Sequence, residues 1–203
     1  GITRDALAEI FDMPGSRVRV ISSDVGGGFG AKATLYPEDI CLAALALLLG
    51  RPVKWFSDRQ EDFLSTTQAF DETIDAELAL DAEGNILALK ADALGDVGAY
   101  SVYPWTACLE PVQVVSFLPG PYRMPSYDGR VRAIATSKPG GGPYRGVGRP
   151  IAAFVTERLM DMAAAQGYGV HPELRRRNLV AEGEFPYKVA SGIVWDRSSF
   201  VAV

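Results

Sequence analysis

Asp24-Val25-Gly26-Gly27-Gly28-Phe29-Gly30-Ala31-Lys32 is the stretch on which the reading of this 203-residue chain turns. Four of its nine residues are glycine, with one aromatic ring among them. Upstream, Val18-Arg19-Val20-Ile21 is an apolar segment that predicts a strand. Downstream, Tyr36-Pro37-Glu38-Asp39 leads into an apolar run from Ile40 to Leu49, which predicts a buried helix. Pro37 suits a first helical turn, Glu38 and Asp39 suit the positive end of the helix dipole, and Gly50 followed by Pro52 suits a stop. The order is therefore strand, glycine loop, helix. A loop of this composition lets main chain approach a ligand closely, and its free N–H groups can hold phosphate or oxo oxygens.

The same residues match G-x-G-x-x-A through Gly26, Gly28 and Ala31, the fingerprint of a dinucleotide-binding βαβ unit. A second apolar segment, Val53-Lys54-Trp55-Phe56, predicts another strand, with Asp58 placed where a ribose-binding acid belongs. Three features argue against that reading. Ser22, Ser23 and Asp24 separate the strand from the glycines, the helix begins near Pro37, and strand–helix alternation does not continue. A nicotinamide-binding dehydrogenase domain stays open as an alternative, and so does a non-catalytic scaffold.

Composition bounds the rest. The chain is 48% hydrophobic with mean hydropathy +0.06, enough for a substantial core. A net charge of −5 argues against nucleic acid as a partner. The basic run Arg175-Arg176-Arg177 reads as a solvated helix face, and Cys41 and Cys108 read as small core residues in a reducing compartment. The apolar run at 40–49 is too short to span a bilayer. The chain opens on Gly1 and closes on Val203 without a terminating feature, and is expected to be a piece of something longer.

From residue 69 onward the period changes to two. Thr73 to Leu80 and Ile86 to Asp96 predict an antiparallel hairpin around the turn Asp81-Ala82-Glu83-Gly84-Asn85. A helix is expected at Ala6–Phe11, another within 105–116, a strand at Arg130–Thr136, and helices at Ile151–Gly167 and Pro172–Leu179. On the long helix, Ile151, Val155, Leu159, Met162 and Ala163 are expected to form the buried face. The charged corner Asp58-Arg59-Gln60-Glu61-Asp62 reads as a turn or helix start in which Arg59 can brace the glycine loop; its carboxylates are the nearest thing to an acid/base cluster. The single histidine, His171, reads as a capping or surface residue. A second glycine loop, Lys138 to Pro150, carries Tyr144, Arg145, Val147 and Arg149.

Five segments in this order resemble the molybdenum hydroxylases: DVGGGFGAK (24–32), RPVKWFSDRQED (51–62), GDVGAY (95–100), PYRGVGRP (143–150) and LRRRNL (174–179). That family includes xanthine dehydrogenase, aldehyde oxidase and the large subunit of aerobic carbon monoxide dehydrogenase. The resemblance covers nearly the whole chain. It implies an α+β fold, with a mixed or antiparallel sheet and helices, as the first molybdopterin-binding domain of a large subunit. Residues 1–179 would form that domain in part, and 180–203 an irregular segment leading to a missing second one. It further implies that Gly27, Gly28, Phe29, Gly30 and Arg145 bind the cofactor. Phe29, Tyr144 and Val147 would line the substrate pocket, and the catalytic base would lie outside this chain. Implied too are molybdopterin, as its cytosine dinucleotide, with molybdenum; an iron–sulfur small subunit carrying [2Fe–2S]; an FAD medium subunit; and a cytoplasmic dimer of heterotrimers acting on a small molecule. The reaction implied is oxidation of an aldehyde or N-heterocycle with water-derived oxygen. Two departures narrow it: Gly146 stands where carbon monoxide dehydrogenases carry a copper-binding cysteine, and Ala33 where xanthine dehydrogenases carry a purine-binding glutamate. The reading requires the two glycine loops to meet in space.

Overall fold

A computed structural model describes residues 1–69, 71–198 and 200. The chain divides into two compact units that interleave in sequence. The first comprises Gly1–Ala69, Val97–Ala107 and Ala135–Arg145; the second comprises the described residues of Phe70–Asp96, Cys108–Ile134 and Gly146–Val203. No described helix is long and apolar enough to cross a membrane.

The first unit contains helices α1 (Ile2–Ile10), α2 (Pro37–Leu49) and α3 (Arg59–Ser65). The boundaries of α2 follow from its ends. Pro37 opens it, Asp39 reaches back to accept the Tyr36 main-chain N–H at 3.0 Å, and Gly50 closes it at φ 60°, donating to Ala46 O. The expectation that this helix is buried fails: none of its residues is buried in this chain, and Leu48 is 81% exposed. Cys41, expected in the core, is exposed with it, and so is Cys108.

Val18–Ile21 and Val53–Phe56, both read as strands, are irregular, and Ile21 and Phe56 are exposed. Local sequence supplied the β preference, but a strand exists only where a neighbour pairs its N–H and C=O groups, and none among the described residues does so here. The main-chain pairing of this unit runs instead along the second glycine loop. Gln68 N–H donates to Gly140 O, Gly142 N–H to Gln68 O, Gly141 N–H to Val97 O and Ala99 N–H to Lys138 O, at 2.9–3.0 Å.

The second unit holds a sheet in the order β1 (Glu72–Leu80), β2 (Ile86–Gly98), β3 (Ser126–Ala135), with α4 (Leu109–Phe117), α5 (Arg149–Ala165) and α6 (His171–Asn178). β1 and β2 form the expected antiparallel hairpin, pairing Glu72 with Gly95 through to Leu80 with Ile86. Alternation does the work. Ile74, Ala76, Leu78 and Leu80 of β1 pack on a core built from Leu89, Val114, Leu118, Tyr122, Met160 and Leu174. A short hairpin of β4 (Tyr187–Lys188) and β5 (Val194–Trp195) lies within 180–200, and residues 199 and 201–203 of that segment lie outside the described residues.

The buried face of α5 is rotated from the expected one. Ala152, Thr156, Met160 and Ala163 are buried, Ile151, Val155 and Leu159 are half-buried beside them, and Met162 is exposed. Thr156 turns inward because its hydroxyl donates to Leu118 O, which satisfies a polar group that counting apolar residues alone places outside. Arg175 is likewise not a solvated residue: its guanidinium donates to Glu157 at 2.6 Å and Asp161 at 2.8 Å, tying α6 to α5. Asn178, nearly fully buried, accepts from Ile86 N–H and donates to Gly84 O and Leu174 O at 2.8–2.9 Å.

Candidate functional site

Gly26 to Gly30 form an irregular loop followed by a single 3-10 turn, Ala31–Ala33, so the chain reaches α2 only four residues later. No strand precedes these glycines and no helix starts at them, which removes the structural context a dinucleotide fingerprint needs. Asp58, the candidate ribose acid, is the N-cap of α3: its Oδ1 accepts from Gln60 N–H at 2.8 Å and Glu61 N–H at 2.9 Å, while Glu61 accepts from Asp58 N–H. Asp62 accepts from Ser57 Oγ at 2.7 Å. The Asp58 and Glu61 carboxylates are thus helix-capping groups, and the Asp62 carboxylate is held by the Ser57 hydroxyl. Arg59 makes no hydrogen bond or ion pair with the loop among the described residues. Tyr36 and Thr67 brace it instead: Tyr36 OH donates to Ala31 O at 2.9 Å and lies 3.4 Å from Thr67 Oγ1.

Within the first unit the two glycine loops meet. Arg145 N–H donates to Phe29 O at 2.7 Å. Gly30 sits at φ 109°, and a Cβ there would overlap the Pro143 carbonyl oxygen and stand 2.7 Å from its carbon. Only glycine permits both this backbone and this approach. Phe29 itself adopts φ 51°. Its ring folds over Gly27, where an added Cβ would come within 2.7–2.8 Å of the ring edge. The ring is nevertheless 57% exposed, and Tyr144 and Arg145 are exposed too. Among the described residues none accepts a hydrogen bond from the amides of Gly27, Gly28, Phe29 or Gly30. The result is an edge of unspent main-chain donors flanked by an aromatic ring and by an arginine on the adjoining loop.

In the second unit, Val147 has φ 53°, a costly conformation for a β-branched residue, and Gly146 before it has φ 93°. Each glycine loop therefore holds one bulky side chain in the left-handed region. Sequence reading missed both, although a glycine on each side of Phe29 and of Val147 was the available signal. The second unit also contains two carboxyls with no hydrogen-bond partner among the described residues, Glu72 and Glu110. Burial pushes Glu72 up to about 7; burial, and then the neighbouring Glu72 charge, pushes Glu110 up to about 7.

These features describe an α+β domain in which two glycine loops meet beside unpaired main-chain amides, an aromatic ring and an arginine. The family described as a molybdopterin cofactor-binding domain matches residues 2–179, and the chain belongs to it. It is 36% identical, over 97% of its length, to the 6-hydroxypseudooxynicotine dehydrogenase complex subunit gamma of Paenarthrobacter nicotinovorans. It is 34% identical, over 98% of its length, to the carbon monoxide dehydrogenase large chain of Hydrogenophaga pseudoflava. Among solved structures, quinoline 2-oxidoreductase from Pseudomonas putida 86 superposes with a TM-score of 0.92 at 38% identity, covering 96% of this chain. The chain spans 25% of the length of each of these three.

Proposed function

We propose that this chain is the first cofactor-contacting part of the catalytic large subunit of a molybdenum hydroxylase, oxidising an N-heterocycle or aldehyde with water-derived oxygen. One observation carries the reading: the Arg145–Phe29 main-chain bond and the Gly30–Pro143 approach join two glycine loops beside a row of amides that make no internal bond. The names of two of these relatives, a 6-hydroxypseudooxynicotine dehydrogenase subunit and a quinoline 2-oxidoreductase, favour the N-heterocycle. Gly146 in place of cysteine argues against copper and carbon monoxide, and Ala33 against a purine.

The residues fit an anionic metallopterin. Amides of Gly27 to Gly30 that make no internal hydrogen bond offer fixed dipoles to oxo and dithiolene groups. The Arg145 guanidinium supplies a charge that matches a pterin oxygen or a phosphate. When bound, the molybdenum centre supplies the two-electron oxidation. The chain's own residues orient and exclude: the Phe29 ring would give a planar substrate a face to stack on, and Tyr144 would trim the pocket. The general base lies on sequence outside this chain, so the chain alone is inactive. Residues 1–179 form part of the binding domain and 180–203 lead toward a second. The cofactor would be molybdopterin cytosine dinucleotide, and the partners a small subunit carrying [2Fe–2S] and a medium subunit carrying FAD, which would supply the path for electrons in a cytoplasmic dimer of heterotrimers.

The test is purification of the full-length protein with its partner subunits, with metal and pterin quantified. Stoichiometric molybdenum, and a fall in turnover on Phe29→Ala or Arg145→Ala, is the expected result. Full activity without molybdenum, or unchanged turnover in both variants, overturns the reading.

A further inference from the structure

Residues 18–21 and 53–56, both in the first unit, have the composition of strands and lack a strand's hydrogen bonds. Val18 enters the first segment extended, at φ −108° and ψ 122°, and its N–H donates to Gly15 O. From Arg19 to Ile21 and from Val53 to Phe56, no main-chain N–H or C=O has a hydrogen-bond partner among the described residues, and no φ is positive. Chain of this kind is an open template for another strand.

The side chains say which sheet would suit it. Consecutive residues of a strand point to opposite faces, yet Val20 and Ile21 are both apolar and exposed, and so are Trp55 and Phe56, with Ile21 at 71% and Phe56 at 86%. Apolar residues on both faces mark a strand covered on both sides, the pattern of parallel sheets. The connection agrees. The 13-residue helix α2 lies between the two segments in sequence, and such a crossover returns the second strand parallel to the first. No hydrogen bond joins the segments to each other among the described residues, so a further strand is needed to make the sheet. The chain spans 25% of the length of its relatives, so most of such a polypeptide lies outside residues 1–203 and can supply that strand.

We propose that an extended, apolar segment of the same large-subunit polypeptide, from outside residues 1–203, adds as a β-strand to residues 18–21 and 53–56. This rests on the reading that the chain is part of a large subunit. The added strand also has a consequence for the cofactor loop. Only Ser22 to Val25 separate Ile21 from the glycines, so pairing there tethers the loop at its start, as Arg145 N–H tethers it at Phe29 O.

The experiment is hydrogen–deuterium exchange at single-amide resolution on the full-length protein with its partner subunits. It is repeated on the large subunit separated from them, at two concentrations a hundredfold apart. At least alternate amides of both segments are expected to exchange about a hundredfold or more slower than unstructured amides in every sample. Val20→Pro and Ile21→Pro each remove one donor, so at least one of them returns residues 19–21 to fast exchange with α1 unchanged, whereas Val20→Ala keeps the protection. Should the proline variants fail to fold, exchange in the unsubstituted protein decides. Unstructured rates in either segment overturn the proposal, and so does protection that survives both prolines. Protection lost with the partner subunits would make another chain the occupant, and protection lost on dilution a second copy; either overturns it. Molybdenum is quantified on the same sample: protected segments without metal sink the hydroxylase reading alone, and metal with unprotected segments sinks this inference alone.

Discussion

Replacing Gly30 by alanine is the sharpest test of the junction between the loops. At φ 109° an L side chain is strained by about 1–3 kcal/mol whatever surrounds it. Here the added Cβ also meets the main-chain carbonyl of Pro143 and stands 3.1 Å from Tyr144 Cα, so the second loop must move away bodily. That movement breaks the Arg145 N–H to Phe29 O bond, worth about 0.5–1.5 kcal/mol net. Together the cost is about 2–4 kcal/mol, and at about 1.4 kcal/mol per decade it predicts that amide hydrogen exchange at Arg145 accelerates roughly 30- to 700-fold. Exchange monitored by mass spectrometry on the full-length protein reads this directly, and molybdenum content should fall in parallel. Gly26→Ala is the internal control, because a Cβ there meets nothing within 4 Å and φ is not positive. If Gly30→Ala and Gly26→Ala give the same exchange at Arg145, the junction does not hold the loops and the site reading loses its footing.

Asn178→Ala should destabilise by about 2–4 kcal/mol in chemical denaturation, since it orphans the buried Ile86 N–H and Gly84 O; a loss under 1 kcal/mol would contradict the pairing described. Asp58→Ala should cost about 1 kcal/mol through loss of the α3 cap, with turnover unchanged; an effect on nicotinamide binding would revive the dehydrogenase reading. Glu72 and Glu110, raised to about 7, hold protons in the folded chain that the unfolded chain releases near 4.5. The stability they confer is therefore complete below pH 4.5 and lost as pH rises towards 7. Both are partly exposed, so the joint effect is discounted to about 1–2 kcal/mol. Glu72→Gln should stabilise above pH 7 and flatten the profile between pH 5 and 7; an unchanged slope refutes the assignment.

The hairpin of β1 and β2 was legible because alternation over 73–80 and 86–96 needs no distant partner, and Asp81 to Asn85 close it locally. The ends of α2 were legible for the same reason: Pro37, Asp39 and Gly50 act within a turn of one another. Failures cluster where a distant partner decides. Val18–Ile21 and Val53–Phe56 have strand composition but no pairing neighbour, and α2 is apolar yet uncovered. Arg175 was misread because Glu157 and Asp161, which neutralise it, lie on the preceding helix. On α5 the side-chain period was right and the phase wrong, because Leu118 O offered Thr156 an acceptor that no residue count reveals.

By itself the sequence determined the α+β class, both glycine loops and the cofactor family, since those are written in residue types at fixed local spacing. Only the tertiary structure decided that Phe29 O accepts from Arg145 N–H, that Phe29 and Val147 sit at positive φ, and that Tyr36 rather than Arg59 braces the loop. These are contacts and dihedral choices imposed by neighbours up to a hundred residues or more away in the chain. They are settled by packing and hydrogen-bond closure in three dimensions, not by the preferences of the residues that display them.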